Sequence, residues 1–138
     1  MTVALEAGLV GRDEPTLLRF YVDVFGFTVV KRFEVEVGIV YKLRRDAARL
    51  KLFFPRALLG DPPETDAWFQ PGGWRYAALN LDDLNDVDAL TRRARTAGCA
   101  VLLPPASHRP GARTAMIADP EGNAWELLAA PADEGGGQ

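Results

Sequence analysis

Hydrophobic and polar residues alternate from residue 3 to residue 10, and this period of two predicts a strand. One side of the predicted strand is apolar and the other side carries Glu6 with Gly8. The apolar side consists of Val3, Leu5, Ala7 and Leu9. Glu6 therefore sits among small neighbours, opposite the apolar side.

A helical stripe follows over residues 14–25, where hydrophobic residues recur at the spacing of one helix face. The stripe is formed by Leu17, Tyr21, Val24 and Phe25. Asp13 suits the N-cap position and Pro15 suits the first turn. Gly26 can take the left-handed conformation that ends a helix, so a strand is expected after it.

The same order of elements then occurs twice. The first half, residues 1–55, continues with predicted strands at 27–35, 38–43 and 49–54. The second half, residues 74–130, has a strand at 74–81, a helix from Asn85 to the stop at Gly98, and strands at 100–103, 113–118 and 124–128. Residues 56–73 are rich in proline and glycine and predict a connecting segment, and 131–138 predict a mobile tail. The chain is expected to be one domain made of two βαβββ modules.

Composition excludes several classes of protein. The chain has 138 residues, is 48% hydrophobic and has a formal net charge of −3, with lysines and arginines scattered among acidic residues along the sequence, so neither a nucleic acid nor a membrane is expected as a partner. Its start lacks an export signal, which predicts a cytoplasmic protein. The single cysteine, Cys99, excludes an internal disulfide and is expected to be a small buried residue. A small molecule and a second copy of the chain are the expected partners.

Two junctions about a hundred residues apart carry a family resemblance. Residues 20–27 read as a helix that ends at a glycine and leads into a strand, and residues 119–127 read as a tight Asp-Pro-Glu-Gly-Asn turn that leads into another strand. With both motifs at this spacing, the chain resembles the vicinal oxygen chelate superfamily, which includes glyoxalase I, bleomycin-resistance proteins and extradiol dioxygenases. The resemblance implies an α+β fold in which the two modules form an incompletely closed, eight-stranded mixed sheet around a cleft, usually in a homodimer.

The resemblance also identifies four inward positions that hold a divalent metal in metal-dependent relatives. These positions fall on Glu6, Lys51, Tyr76 and Glu126. Arg75 is the alternative to Tyr76 if the register of that strand shifts by one. An ammonium group donates hydrogens where a metal requires lone pairs, so Lys51 opposes a metal and no cofactor is expected. If a metal is present, Glu6 and Glu126 are its ligands.

Lys51 allows two interpretations. In the first, it stands in for the cation by lying between the Glu6 and Glu126 carboxylates; in the second, it forms an ordinary cross-strand pair with Glu126. Tyr76 likewise has two: its ring can cap the core or line the cleft, and its hydroxyl can orient or protonate a substrate.

Further ligand-binding candidates lie outside these four positions. Trp68 and Phe69, on the connecting segment, are expected at the cleft or the dimer interface, because aromatic walls suit planar ligands. His108 and Arg109 sit on a proline-rich loop that can overhang the cleft, the alternative being a solvated loop. His108 is the single histidine and lies away from the four positions, which makes an iron-dependent dioxygenase improbable.

Three functions remain open. The first is a protein of the bleomycin-resistance type that binds an aromatic or antibiotic-like small molecule without a catalytic metal. The second is a glyoxalase- or epimerase-like lyase or isomerase that uses Glu126 or Glu6 as base, with or without a divalent metal. The third is an interaction module whose cleft is filled by its own side chains.

Overall fold

The computed structural model describes residues 1–57, 71 and 73–130, and these residues form two βαβββ modules. Trp68, Phe69 and the predicted tail at 131–138 lie outside the described residues. The elements of the first module are β1 (Ala7–Val10), α1 (Glu14–Arg19), β2 (Thr28–Val35), β3 (Gly38–Arg45) and β4 (Ala48–Pro55); those of the second are β5 (Tyr76–Leu81), α2 (Leu84–Thr96), β6 (Val101–Ala106), β7 (Arg113–Ala118) and β8 (Ala124–Ala129).

Each module contributes one four-stranded mixed sheet. The strand orders are β1-β4-β3-β2 and β5-β8-β7-β6, so the two sheets have the same topology. The first strand of each module runs parallel to the last, and the other neighbours are antiparallel. The predicted α+β class and the repeat are confirmed, with the eight strands divided between two unclosed sheets.

Helix α1 begins as the sequence predicts and ends differently. The Asp13 carboxylate caps it by accepting a hydrogen bond from the Thr16 N–H at 3.2 Å. From Phe20 to Val24 the helix widens into a π-helical turn, which stops at Gly26 with φ of +74°. The spacing of hydrophobic residues does not distinguish an α-helical from a π-helical turn, so the sequence predicted a uniform α-helix here.

Strand β1 is shorter than predicted, because residues 3–6 do not pair. Its ladder with β4 starts at Ala7 opposite Leu50, close to the beginning of β4, so little of β4 remains to pair with the preceding residues. Val3 and Leu5 are accordingly 79% and 83% exposed, and the prediction that the strand includes them is wrong.

Two differences appear in the second module. Strand β6 continues through Pro104 and Pro105, which were predicted to lie in a loop. Because β6 is an edge strand with irregular register, residues without an N–H are tolerated there. The strand predicted at 74–81 begins only at Tyr76, and Trp74 before it is 95% exposed, whereas Trp125 is buried beside Tyr21 and Phe25.

Both helices pack into the same hydrophobic core. One hydrophobic core joins α1, α2 and the inner faces of the two sheets, with Leu17, Phe25, Leu52 and Leu127 among its buried residues. The opposite faces of the sheets, called here the first and second open faces, have no described helix over them. Neither described helix has both the length and the apolar character needed to cross a bilayer.

Candidate functional site

The two family motifs meet in the core through one hydroxyl group. The Tyr21 hydroxyl donates a hydrogen bond to the Asp119 carboxylate at 2.6 Å and accepts one from Trp125 Nε1 at 2.9 Å. Tyr21 is fully buried, and Asp119 is 3% exposed. Residues separated by 98 positions are thus joined inside the molecule, and the tyrosine of the first motif has a structural role.

Asp119 also organises the turn before β8. Its carboxylate accepts hydrogen bonds from the backbone N–H groups of Glu121 and Asn123 and from the Asn123 side-chain amide, all at 2.8–2.9 Å. Gly122 supplies the positive φ of +89° that the turn requires. Burial raises the pKa of Asp119, and the hydrogen bonds from Tyr21 and Asn123 act in the opposite direction. Four donors on two oxygens leave no position for a proton, so the carboxylate is ionised.

Glu121 connects this turn to the first module. Its carboxylate accepts hydrogen bonds from the backbone N–H groups of Arg12 and Asp13, at 2.8–2.9 Å, just before helix α1. Sequence analysis missed the roles of Tyr21, Asp119 and Glu121. The available signal was a polar hydroxyl within the apolar stripe of a helix, which demands a buried partner.

The first open face carries a cluster of two lysines around one carboxylate. Lys51 Nζ lies 3.7 Å and Lys42 Nζ lies 4.0 Å from Glu6 Oε1. The Lys51, Lys42 and Glu6 side chains are 44%, 41% and 29% exposed. Lys42 is directly opposite Lys51 in the β3–β4 ladder, and sequence analysis did not include it.

Lys51 does not form the cross-strand pair with Glu126 that was one interpretation of the sequence. Lys51 lies on β4 of the first sheet and Glu126 on β8 of the second, so the two residues do not share a ladder. Within the described residues, the ion-pair partner of Lys51 is Glu6, and Glu126 has neither an ion pair nor a side-chain hydrogen bond.

Glu126 lies on the second open face between two neutral neighbours. It is opposite Ala78 on β5 and Met116 on β7. Tyr76, 50% exposed, precedes Ala78 by two residues and therefore shares this face with Glu126. The side chain that β5 places on the face of Glu126 is therefore that of Tyr76, and not that of its neighbour Arg75.

His108 and Arg109 lie in the turn between β6 and β7, and both are exposed. The Arg109 carbonyl accepts a hydrogen bond from the Ala112 N–H at 3.2 Å. Their predicted contact with a ligand, like that of Trp68 and Phe69, stays a prediction. Cys99 packs at the margin of the core, and burial raises the pKa of its thiol, as expected for a structural residue.

The four positions do not fit a divalent metal. Lys51 offers an ammonium group, and the one carboxylate beside it, Glu6, is already compensated by two lysines. Among the described residues, no three acidic, histidine or cysteine side chains are grouped as metal ligands. The donor chemistry here therefore suits an ion pair and not a metal centre.

Comparisons with known proteins agree with the fold. The chain is similar in structure to a glyoxylase/bleomycin resistance protein/dioxygenase domain from Frankia sp. EAN1pec, at 17% identity over 98% of this chain and 95% of that chain, with a TM-score of 0.80. A glyoxalase-related enzyme from Fulvimarina pelagi is 23% identical over 94% and 88%, with a TM-score of 0.67. TnmS3, an antibiotic-binding protein from Streptomyces sp. CB03234, is 23% identical over 95% and 98%, with a TM-score of 0.65.

The sequence comparison gives the family directly. No curated protein matches the chain. The family model of the Glyoxalase/Bleomycin resistance protein/Dioxygenase superfamily matches residues 5–127, a span that contains both motifs and all four inward positions. The chain therefore belongs to the Glyoxalase/Bleomycin resistance protein/Dioxygenase superfamily.

Proposed function

We propose that this protein binds a small apolar or aromatic molecule in a cleft that includes the first open face, without a catalytic metal. The observation that carries the proposal is the placement of the Lys51 and Lys42 ammonium groups within 4.0 Å of Glu6. The two ammonium groups repel a divalent cation, and their ion pairs engage the Glu6 carboxylate that would otherwise bind it.

The first open face also offers an apolar surface for such a ligand. Phe33, Val40 and Phe53 lie in one row across β2, β3 and β4, and Val10 on β1 continues that row. Phe33 and Phe53 are partly exposed and Val10 is 67% exposed. Burying aromatic and aliphatic surface of this kind favours planar ligands without demanding a dense set of hydrogen bonds. A similar fold in an antibiotic-binding protein supports a binding role.

Metal analysis tests the metal-free part of the proposal. Purified protein incubated with nickel, zinc or manganese and then desalted is expected to retain no stoichiometric metal. The matched variants are Glu126→Gln, which removes a candidate ligand, and Glu34→Gln, which removes an exposed carboxylate paired with Arg56. Stoichiometric metal that is lost in Glu126→Gln and kept in Glu34→Gln would refute the proposal.

A thermal-shift screen of planar neutral and charged compounds tests binding, because a ligand of the folded state raises the melting temperature. Gly8→Phe is the blocking variant, since a side chain built at Gly8 meets no atom within 4 Å and would project from the first open face. Hits are expected to lose their effect in Gly8→Phe and to keep it in Gly8→Ala. Hits that stabilise both variants equally would place the ligand elsewhere and contradict the proposal.

Glu126 supports a second candidate function, proton abstraction next to a carbonyl group. Its carboxylate is partly exposed on the second open face and has no ion-pair partner among the described residues, so it is available as a base. Deuterium exchange at the α-carbon of a bound ketone or thioester, followed by NMR, tests it. Exchange that is lost in Glu126→Gln while the ligand still binds would favour an enzyme over a binding protein.

A further inference from the structure

Three lysines form a continuous row across the first open face. Lys31 on β2 is directly opposite Lys42 on β3, which is directly opposite Lys51 on β4. The row ends at Gly8 on β1, the partner of Lys51. Like charges in directly opposite positions of an antiparallel ladder destabilise a sheet, so this arrangement carries an electrostatic cost in the free protein.

A second basic row lies beside the first. Arg44 on β3 is opposite Arg49 on β4, two pairs further along the same ladder and therefore on the same face as Lys42 and Lys51. Among the described residues of this face, Glu6 is the carboxylate that compensates these charges, and its two ion pairs are both with lysines. The five cations of the two rows outnumber the carboxylates near them, Glu6 and Asp46 beside Arg44, so the face has an excess of positive charge although the whole chain has a net charge of −3.

The basic rows border both free space and apolar surface. A Cβ built at Gly8, beside Lys51, meets nothing within 4 Å. Arg44 lines an open groove of about 400 Å³ whose wall also contains Thr28, Val30, Arg45 and one carboxylate, that of Asp46. On the other side of the lysine row lies the apolar row that contains Phe53. A ligand lying across the face would contact cations at one end and aromatic surface at the other.

We infer that the ligand is an anion: a planar or bulky apolar molecule with a carboxylate, sulfonate or similar group that lies on the lysine row. This inference rests on the proposed function and adds the charge of the ligand to it. An anionic group removes the repulsion among Lys31, Lys42 and Lys51, whereas a cationic ligand would increase it. Glu126 on the second open face disfavours an anion there, so the charged group is directed to the first sheet.

The test compares 2-naphthoate with 2-naphthamide, which have the same ring and differ in charge. Isothermal titration calorimetry is expected to give a dissociation constant at least about tenfold lower for the carboxylate, corresponding to about 1.4 kcal/mol. The preference should decrease as salt rises from about 20 mM to about 500 mM, because charges at an exposed site are screened. The double variant Lys42→Met and Lys51→Met should lose the preference, and the double variant with arginine at both positions should keep it. Arg95→Met, which removes an exposed cation of helix α2, is the control and should bind like the unmodified protein.

The outcomes separate this inference from the proposed function. Preferential carboxylate binding that requires the two lysines and is blocked in Gly8→Phe supports both. Equal binding of both probes, blocked in Gly8→Phe, overturns the anionic ligand and leaves the binding cleft in place. A carboxylate preference that survives in the double methionine variant, or that Arg95→Met removes, overturns the assignment to the lysine row. Binding of neither probe overturns the inference, while the wider compound screen decides the proposed function.

Discussion

Replacing Tyr21 by phenylalanine removes one oxygen atom and breaks the link between the two family motifs. The hydroxyl donates to the ionised Asp119 at 2.6 Å and accepts from Trp125 Nε1 at 2.9 Å, in a fully buried site. A hydrogen bond to a charged group contributes about 1.5–3 kcal/mol, and a buried donor left without an acceptor costs about 1–3 kcal/mol. Because Asp119 keeps its three other hydrogen bonds, we expect Tyr21→Phe to lower the free energy of unfolding by about 2–4 kcal/mol.

Tyr41→Phe provides the matched control. The Tyr41 ring is buried, yet its hydroxyl reaches the molecular surface, where it donates to Glu14 and accepts from Arg32 at 3.3 Å. Water can replace these partners, so the expected loss is below about 1 kcal/mol. The comparison therefore changes the burial of the hydroxyl while the chemical substitution stays the same.

Urea denaturation monitored by circular dichroism and tryptophan fluorescence measures both variants. With a urea slope of about 2 kcal/mol per molar, the middle of the typical range, a loss of about 2–4 kcal/mol in Tyr21→Phe should lower the midpoint by about 1–2 M at unchanged slope. Equal midpoints for the two variants, or a loss below about 0.5 kcal/mol for Tyr21→Phe, would refute the structural role assigned to the hydroxyl.

Three further perturbations follow from the fold. Gly38→Ala should destabilise by about 1–3 kcal/mol in urea denaturation, because its Cβ would lie 2.3 Å from a backbone oxygen of β4, whereas Gly8→Ala, with nothing within 4 Å, should change stability little. Burial raises the pKa of Tyr21 well above its usual 10, so the stability that its neutral form provides is complete below pH 10 and is lost as pH rises above it. In the same urea assay, the free energy of unfolding of Tyr21→Phe should therefore fall less steeply with rising alkaline pH. Hydrogen bonds from Arg113 lower the pKa of Asp88 below its usual 3.8, so this stabilisation is present above pH 3.8 and is lost as pH falls through the lower folded value. Asp88→Asn should therefore reduce the melting temperature slightly at neutral pH, and the difference from the unmodified protein should decrease as pH falls below 3.8.

The repeat of elements could be predicted because the residues that begin and end its helices act locally. Asp13 caps α1, and Gly26 and Gly98 end the helices with positive φ, as their residue types require. The boundaries that were wrong depend on distant partners. Residues before Ala7 alternate like a strand and find little of β4 to pair with, and Pro104 enters β6 because that strand lies at an edge.

The candidate site could be predicted only in part. The family resemblance gave Glu6 and Lys51, which the structure brings within 3.7 Å of each other. It did not give Lys42, since cross-strand register is set by the turn between β3 and β4 and not by the residue itself. It assigned Lys51 and Glu126 to different modules of one eight-stranded sheet, whereas the strand order places them in two separate sheets.

The reach of Glu121 into the opposite module affects how the chain can be divided. A protein built from two similar halves invites the idea that each half is a small independent protein. Here the carboxylate of one half binds the main chain of the other at Arg12 and Asp13, and the ring of Trp125 packs against Phe25 across the same boundary. Either half expressed separately would expose apolar surface to water and should fold only when mixed with the other half. In the intact protein, the two halves should unfold in a single transition.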